Sequence, residues 1–124
     1  MPGLNPDTYR TISAKTASYS VRPEDIGKIF TNRGAGGAVT FTLPTVSTIA
    51  AGWWCEFFVV ADQNVVIASQ GSSDNIVTFN DAGADSITIS TAGEIIGASV
   101  RVIWDGTSWL AQLMVHETQT PTIA

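Results

Sequence analysis

The sequence predicts an all-β fold: a single small antiparallel β-barrel or jelly-roll-like sandwich with an extended N-terminal arm. Three observations carry that expectation. Short runs rich in β-branched and aromatic residues recur along the 124-residue chain, separated by turns of Gly, Asn, Asp, Ser and Pro. None of the segments between those runs shows a helical period. The third observation is the stretch Gly52 to Asp62, GWWCEFFVVAD, which is apolar on both faces. Trp53, Cys55, Phe57 and Val59 alternate there with Trp54, Phe58 and Val60, and only Glu56 interrupts them. That is the pattern of a central strand, and the rest of the domain is expected to form around it.

Composition limits what the chain can do. With 44% hydrophobic residues it makes one compact domain, burying roughly two-thirds of the surface exposed by its unfolded form. A net charge of -5 and six scattered basic residues argue against nucleic acid as a partner, since that affinity comes largely from clustered Lys and Arg. The opening MPGLNPDTYR has no charged region followed by an apolar run, and no apolar stretch reaches the ~20 residues of a membrane span. A soluble chain without a membrane partner, made in the cytoplasm, is expected. The single cysteine, Cys55, cannot make an intrachain disulfide and has no flanking Lys, Arg or His to activate it, so it reads as a small buried hydrophobe.

In chain order, residues 1–16 form the arm. Pro2, Gly3, Asn5 and Pro6 deny it regular structure, and Leu4, Tyr9 and Ile12 are spaced like anchors. The β-domain, residues 17–116, opens with a short strand at Ser18 to Val21, and Arg22 to Gly27 then make a turn or a single helical turn ended by Gly27. Lys28 to Asn32 resume extended structure. Gly34-Ala35-Gly36-Gly37 lacks the GK[ST] of a phosphate loop and precedes the alternating Val39 to Leu43, so it reads as a hairpin turn. Pro44 ends that strand and Thr45 to Ala51 cross to the central one.

Beyond Asn64 come three more strands, Val65 to Ala68, Asn75 to Phe79 and Ser86 to Ser90. Their separators are the turn-rich Gln70 to Asp74, Asn80 to Asp85 and Thr91 to Gly93. The domain closes with a hairpin: Ser99 to Trp104, Asp105-Gly106 supplying a turn with positive φ, and Trp109 to Val115 returning. Residues 117–124 are polar, include Pro121, and read as a tail.

The candidates for chemistry are few. Asp74, Asp81 and Asp85 lie in consecutive loops, but DAGAD matches no calcium-loop register, and solvated turns are the expected state. His116 is the only histidine, which excludes a histidine metal cluster. No G-x-S-x-G exposes a nucleophile. Glu56 is the one acid in an apolar setting, and a carboxylate with a hydrogen-bond partner at a strand edge or subunit interface is favoured over a general acid. No catalytic, cofactor-binding or metal-binding residues are therefore expected, and the chain reads as a non-enzyme.

The succession YSVRPEDIGKIFTNRGAGGAVTFTLP, GWWCEFFVVAD and IIGASVRVIWDGTSW resembles the small β-structured virion proteins of tailed bacteriophages. An xxDxGKxFxN turn, a Gly-rich hairpin before TLP, a GxxxxF strand and a closing DGTxW hairpin recur in that family. The likeness spans Ala17 to about Val115, strand and turn positions shared by capsid decoration proteins, head fibres and tail-fibre modules. The resemblance implies a virion structural protein, commonly a homotrimer without a cofactor. The leading expectation is a capsid decoration, or cement, protein on the capsid surface, with the major capsid protein and itself as partners. The alternative is a head- or tail-fibre module recognising a host cell-surface glycan.

Overall fold

Most of the short strands carry at least one apolar face, and burying those faces against one another yields two stacked sheets. The computed structural model describes residues 9–71, 74–90 and 95–124. Its strands are β1 (Ile12–Ala14), β2 (Tyr19–Ser20), β3 (Ile29–Thr31), β4 (Val39–Thr42), β5 (Trp54–Phe58) and β6 (Val65–Ala68). They continue with β7 (Ile76–Thr78), β8 (Asp81–Ala84), β9 (Ser86–Ile89), β10 (Ser99–Trp104), β11 (Trp109–Met114) and β12 (Thr122–Ile123). The larger sheet has the order β1-β3-β5-β10-β11-β7-β8 and the smaller one β12-β9-β6-β4-β2.

The all-β expectation holds, and the antiparallel barrel does not. Both sheets are open, ending in β1 and β8 or in β12 and β2. Both are also mixed. β1, β3 and β5 run parallel in one sheet, and β2, β4 and β6 run parallel in the other. From β1 to β6 the chain thus alternates between sheets, each strand lying beside the strand two before it. This explains why Gly34 to Gly37 is not a hairpin turn: β3 and β4 belong to different sheets, and the loop is a crossover between them. The side chains show the reason, because Phe30 and Phe41 meet across the core with ring centroids 5.6 Å apart instead of lying side by side.

β5 is interior, as its sequence predicts, with β3 on one side and β10 on the other. Trp53, Cys55, Phe57 and Val59 point into the core, none more than 5% exposed. Phe57 packs on Phe30 and Phe41, and Tyr19 adds a fourth ring. At the other end of the core, Trp109 lies against Trp53 and Trp104. Each large side chain so buried contributes about 1.5–3 kcal/mol. Asn32, fully buried, substitutes for ladder partners after β3: its Oδ1 accepts the amides of Val60 and Ala61 at 2.8 and 2.9 Å, and its Nδ2 donates to the Ala61 carbonyl.

Three further segments differ from expectation. Asn80 to Asp85 is not a loop: Phe79 and Asn80, both at positive φ, make a tight turn, and β8 returns antiparallel to β7 with Ala84 buried. The tail is tied down, since β12 pairs with β9 through Thr122 and Ile123. The described part of the arm joins the larger sheet as β1, with Ile12 beside Ile29 and Ala14 beside Thr31. The separator at Thr91 to Gly93 lies outside the described residues, as do Ser72 and Ser73 and the arm up to residue 8.

Candidate functional site

The outward face of the larger sheet carries both a charged cluster and exposed apolar side chains. Cross-strand register sets its side chains in rows. One row crosses five strands, Ile12, Ile29, Glu56, Arg101 and Gln112. A second holds Trp54, Ile103, Leu110 and Val77, and a third includes Phe58, Ser99 and Met114. Ile12, Phe58, Leu110 and Met114 are exposed, Met114 by 63%. The second face of β5, apolar in sequence, is therefore the outside of the sheet.

At its centre a carboxylate is held by two guanidinium groups. Arg101 brings Nε and Nη2 to within 2.7 Å of Glu56 Oε1, and Arg10 Nη1 lies 3.2 Å from Oε2. Both guanidinium groups also lie over the Trp54 ring, 4.6 and 5.5 Å from its centroid. Partial burial by itself raises the Glu56 carboxyl, but the bonds from Arg101 and Arg10 outweigh it and hold the group below its ordinary value. Glu56 is thus an ionised, hydrogen-bonded carboxylate, and a general acid would need the opposite shift. Arg10 is the residue that sequence reasoning misses. It sits in a segment without periodicity, and only the parallel pairing of β1 beside β3 brings it over β5.

The second anchored acid, Asp25, is equally silent in the sequence. It ends the 3-10 turn Pro23–Asp25 and is only 2% exposed. It accepts hydrogen bonds from Tyr19 Oη at 2.7 Å, Lys28 Nζ at 2.7 Å and the Arg22 amide at 2.9 Å. Burial pushes its carboxyl up, and the bonds from Lys28, the Arg22 amide and Tyr19 together bring it below the usual range. The D-x-G-K spacing that carries the family likeness is therefore a structural clamp, joining the turn to β2 and β3.

The other candidates stand apart. Asp81 Oδ1 caps its own turn by accepting the Gly83 amide at 2.8 Å. Among the described residues no three His, Cys, Asp or Glu side chains gather as a metal site. His116 is exposed and bonds within its own turn to Thr118. Cys55 is buried, and desolvation pushes its thiol far above the ordinary value, so no nucleophilic thiolate is available. Of the four tryptophans, Trp53, Trp104 and Trp109 are in the core, leaving Trp54 outside. No described helix is long and apolar enough to cross a membrane.

No family model matches the chain, and no curated protein matches it.

Proposed function

We propose that the chain is a structural protein of a tailed-bacteriophage virion, a decoration protein that binds the outside of the head and stabilises it through the major capsid protein. The observation that carries this reading is the outward face of the larger sheet. It sets Ile12, Phe58, Leu110 and Met114 exposed around a Glu56 carboxylate that is paired with Arg101 and Arg10. Such a face suits burial against another protein, because its one carboxylate is paired before contact and its apolar groups gain from desolvation. The likeness of the RPEDIGK turn and the DGTSW hairpin to phage virion proteins supports the same reading.

Catalysis finds little support among the described side chains, since Asp25 and Glu56 are held ionised by their partners and Cys55 is buried. A glycan-binding fibre module needs exposed tryptophan beside aspartate in a groove. Here three tryptophans are buried and the fourth lies beneath Arg10 and Arg101. The test adds purified protein to undecorated heads and measures occupancy after washing. Stable occupancy by the native chain and its loss in Phe58→Lys are expected. Heads that retain no protein at any concentration would overturn the reading.

A further inference from the structure

Asp105-Gly106 is the one place in the chain where an aspartate or asparagine precedes glycine. It lies at the exposed tip of the β10–β11 hairpin, past the Trp104–Trp109 pair that ends the ladder. Asp105 Oδ1 accepts the Thr107 and Ser108 amides, both at 2.7 Å, and the ring that the first of these bonds closes contains the Gly106 nitrogen. Among the described residues nothing accepts the Gly106 amide and nothing donates to Asp105 Oδ2.

A backbone amide closes a five-membered ring on the side chain of the preceding aspartate when nothing crowds the nitrogen and the carboxyl carbon is held beside it. Gly106 has no Cβ to crowd the approach. The two amides on Oδ1 are aimed at the oxygen that gathers charge as Cγ becomes tetrahedral. Oδ2 is open to solvent, where it takes up a proton and leaves. The other described aspartates each lack a part of this arrangement. Asp81 Oδ1 holds the Gly83 amide in a similar turn, but Ala82 follows it and places a Cβ beside the nitrogen. The amides of Gln63 and Ser86, which follow Asp62 and Asp85, are bound to the carbonyls of Ala61 and Ala124. Asp25 is buried and precedes the β-branched Ile26.

We propose that Asp105 is a self-modification site, at which the folded chain slowly turns aspartate into isoaspartate through a succinimide formed with Gly106. In the first step the Gly106 nitrogen bonds to Cγ and gives its proton to solvent, while Oδ2, protonated from solvent, leaves as water. In the second, water adds to the ring at its main-chain carbonyl and breaks the bond between that carbon and the Gly106 nitrogen, so that the chain runs through Cγ. No electrons are exchanged, and water is the only co-reactant. The bonds from the Ser108 and Thr107 amides hold the Asp105 carboxyl below its ordinary value, so the protonated form that loses water becomes scarcer as the pH rises. The conversion is therefore slow in neutral solution and faster in mild acid. Its product has one more backbone atom, and its free carboxylate, now on the former main-chain carbon, no longer faces the Thr107 and Ser108 amides. The closing hairpin thus loosens with the age of the protein, whether or not the chain attaches to a head.

The test incubates the full chain for several weeks at about pH 5 and at about pH 8. Each aspartate is then read by digestion and electron-transfer fragmentation, which cleaves the extra backbone Cα–Cβ bond of isoaspartate. Isoaspartate is expected at Asp105 alone, preceded by a succinimide species one water lighter, and in greater yield at the lower pH. Asp105→Glu, whose cyclisation needs a six-membered ring, is expected to stay unmodified with a melt close to the native one. Asp105→Asn loses ammonia in place of water and needs no protonated carboxyl, so its conversion should instead speed up with pH. Urea added below the unfolding transition should leave the native rate unchanged. An Asp105 intact at both pH values, equal isoaspartate at Asp81, a native yield that rises with pH, or a rate that climbs with the unfolded fraction would each overturn the proposal.

Discussion

Arg101 grips a single carboxylate oxygen of Glu56 through Nε and Nη2, both at 2.7 Å, and thereby ties β10 to β5 across the outward face of the larger sheet. Arg10 closes the other side at 3.2 Å and fastens the segment leading into β1. Both guanidinium groups are more than a third exposed, so solvent screens much of their Coulomb gain. Glu56→Gln is expected to cost about 1 kcal/mol, a fall in Tm of roughly 4 °C. It should also alter Trp54 fluorescence, because Arg10 loses the carboxylate that holds it over the ring. An unchanged melt and spectrum would show the pair to be loose in solution.

Asp25 sets the behaviour in acid. Its folded carboxyl lies below the ordinary value, so its contribution is complete above the unfolded value of about 3.9 and is lost as the pH falls through the lower, folded value. Glu56 acts in the same direction. Stability should therefore decline below about pH 4. Asp25→Asn should flatten that decline and cost about 2–3 kcal/mol at neutral pH, since it removes the charge that Lys28 faces and turns one of the two acceptor oxygens shared by Lys28, Tyr19 and the Arg22 amide into an NH2 donor. Urea unfolding of both proteins between neutral and acid pH measures it.

How far the residues announce this structure depends on whether the signal is local. The central strand is legible because eight apolar residues within GWWCEFFVVAD leave few alternatives, and Val65 to Ala68 form β6 with those bounds. Gly27 is legible as the end of a helical turn, and its φ is 75°. Parallel pairing is not, because partners such as Val39 and Val65 are separated by a long crossover and nothing in either strand names the other. β8 is hidden by its composition: DAGA lacks β-branched residues and is a strand only because the Phe79-Asn80 turn returns it along β7. The Glu56 partnership is half legible. The sequence marks an acid in need of a partner, and the two arginines that provide it stand far away in the chain.

The β10–β11 hairpin tests turn chemistry directly. Its loop is longer than a two-residue turn, since Trp104 pairs with Trp109, yet Gly106 has the positive φ expected, 98°. Asp105 Oδ1 accepts the amides of Thr107 and Ser108, each at 2.7 Å, which fixes the loop around that glycine. A Cβ on Gly106 would meet the Ala51 Cβ at 3.6 Å, an ordinary contact, so backbone strain alone decides the cost. Gly106→Val should destabilise by about 1–2 kcal/mol. Gly36→Val in the crossover, where a Cβ meets nothing within 4 Å and φ is not positive, should cost less. Equal thermal shifts for the two variants would contradict this account.

Removal of residues 1–15 separates two roles of the arm. The sequence places the start of the folded domain at Ala17, but this truncation deletes β1 and Arg10, exposing the edge of β3 and leaving Arg101 as the one cation on Glu56 among the described partners. The parallel strand it removes is three residues long and its Ile12 is 66% exposed, so little core goes with it. The truncated domain should stay folded with a stability lower by about 1–2 kcal/mol. On undecorated heads it should dissociate faster than the full chain while associating at a similar rate, because a docked face without Ile12 and Arg10 is held less tightly only after encounter has occurred. A chain unfolded by the truncation would make β1 essential to the fold. Unchanged occupancy after washing would place attachment on Phe58, Leu110 and Met114 without help from the arm.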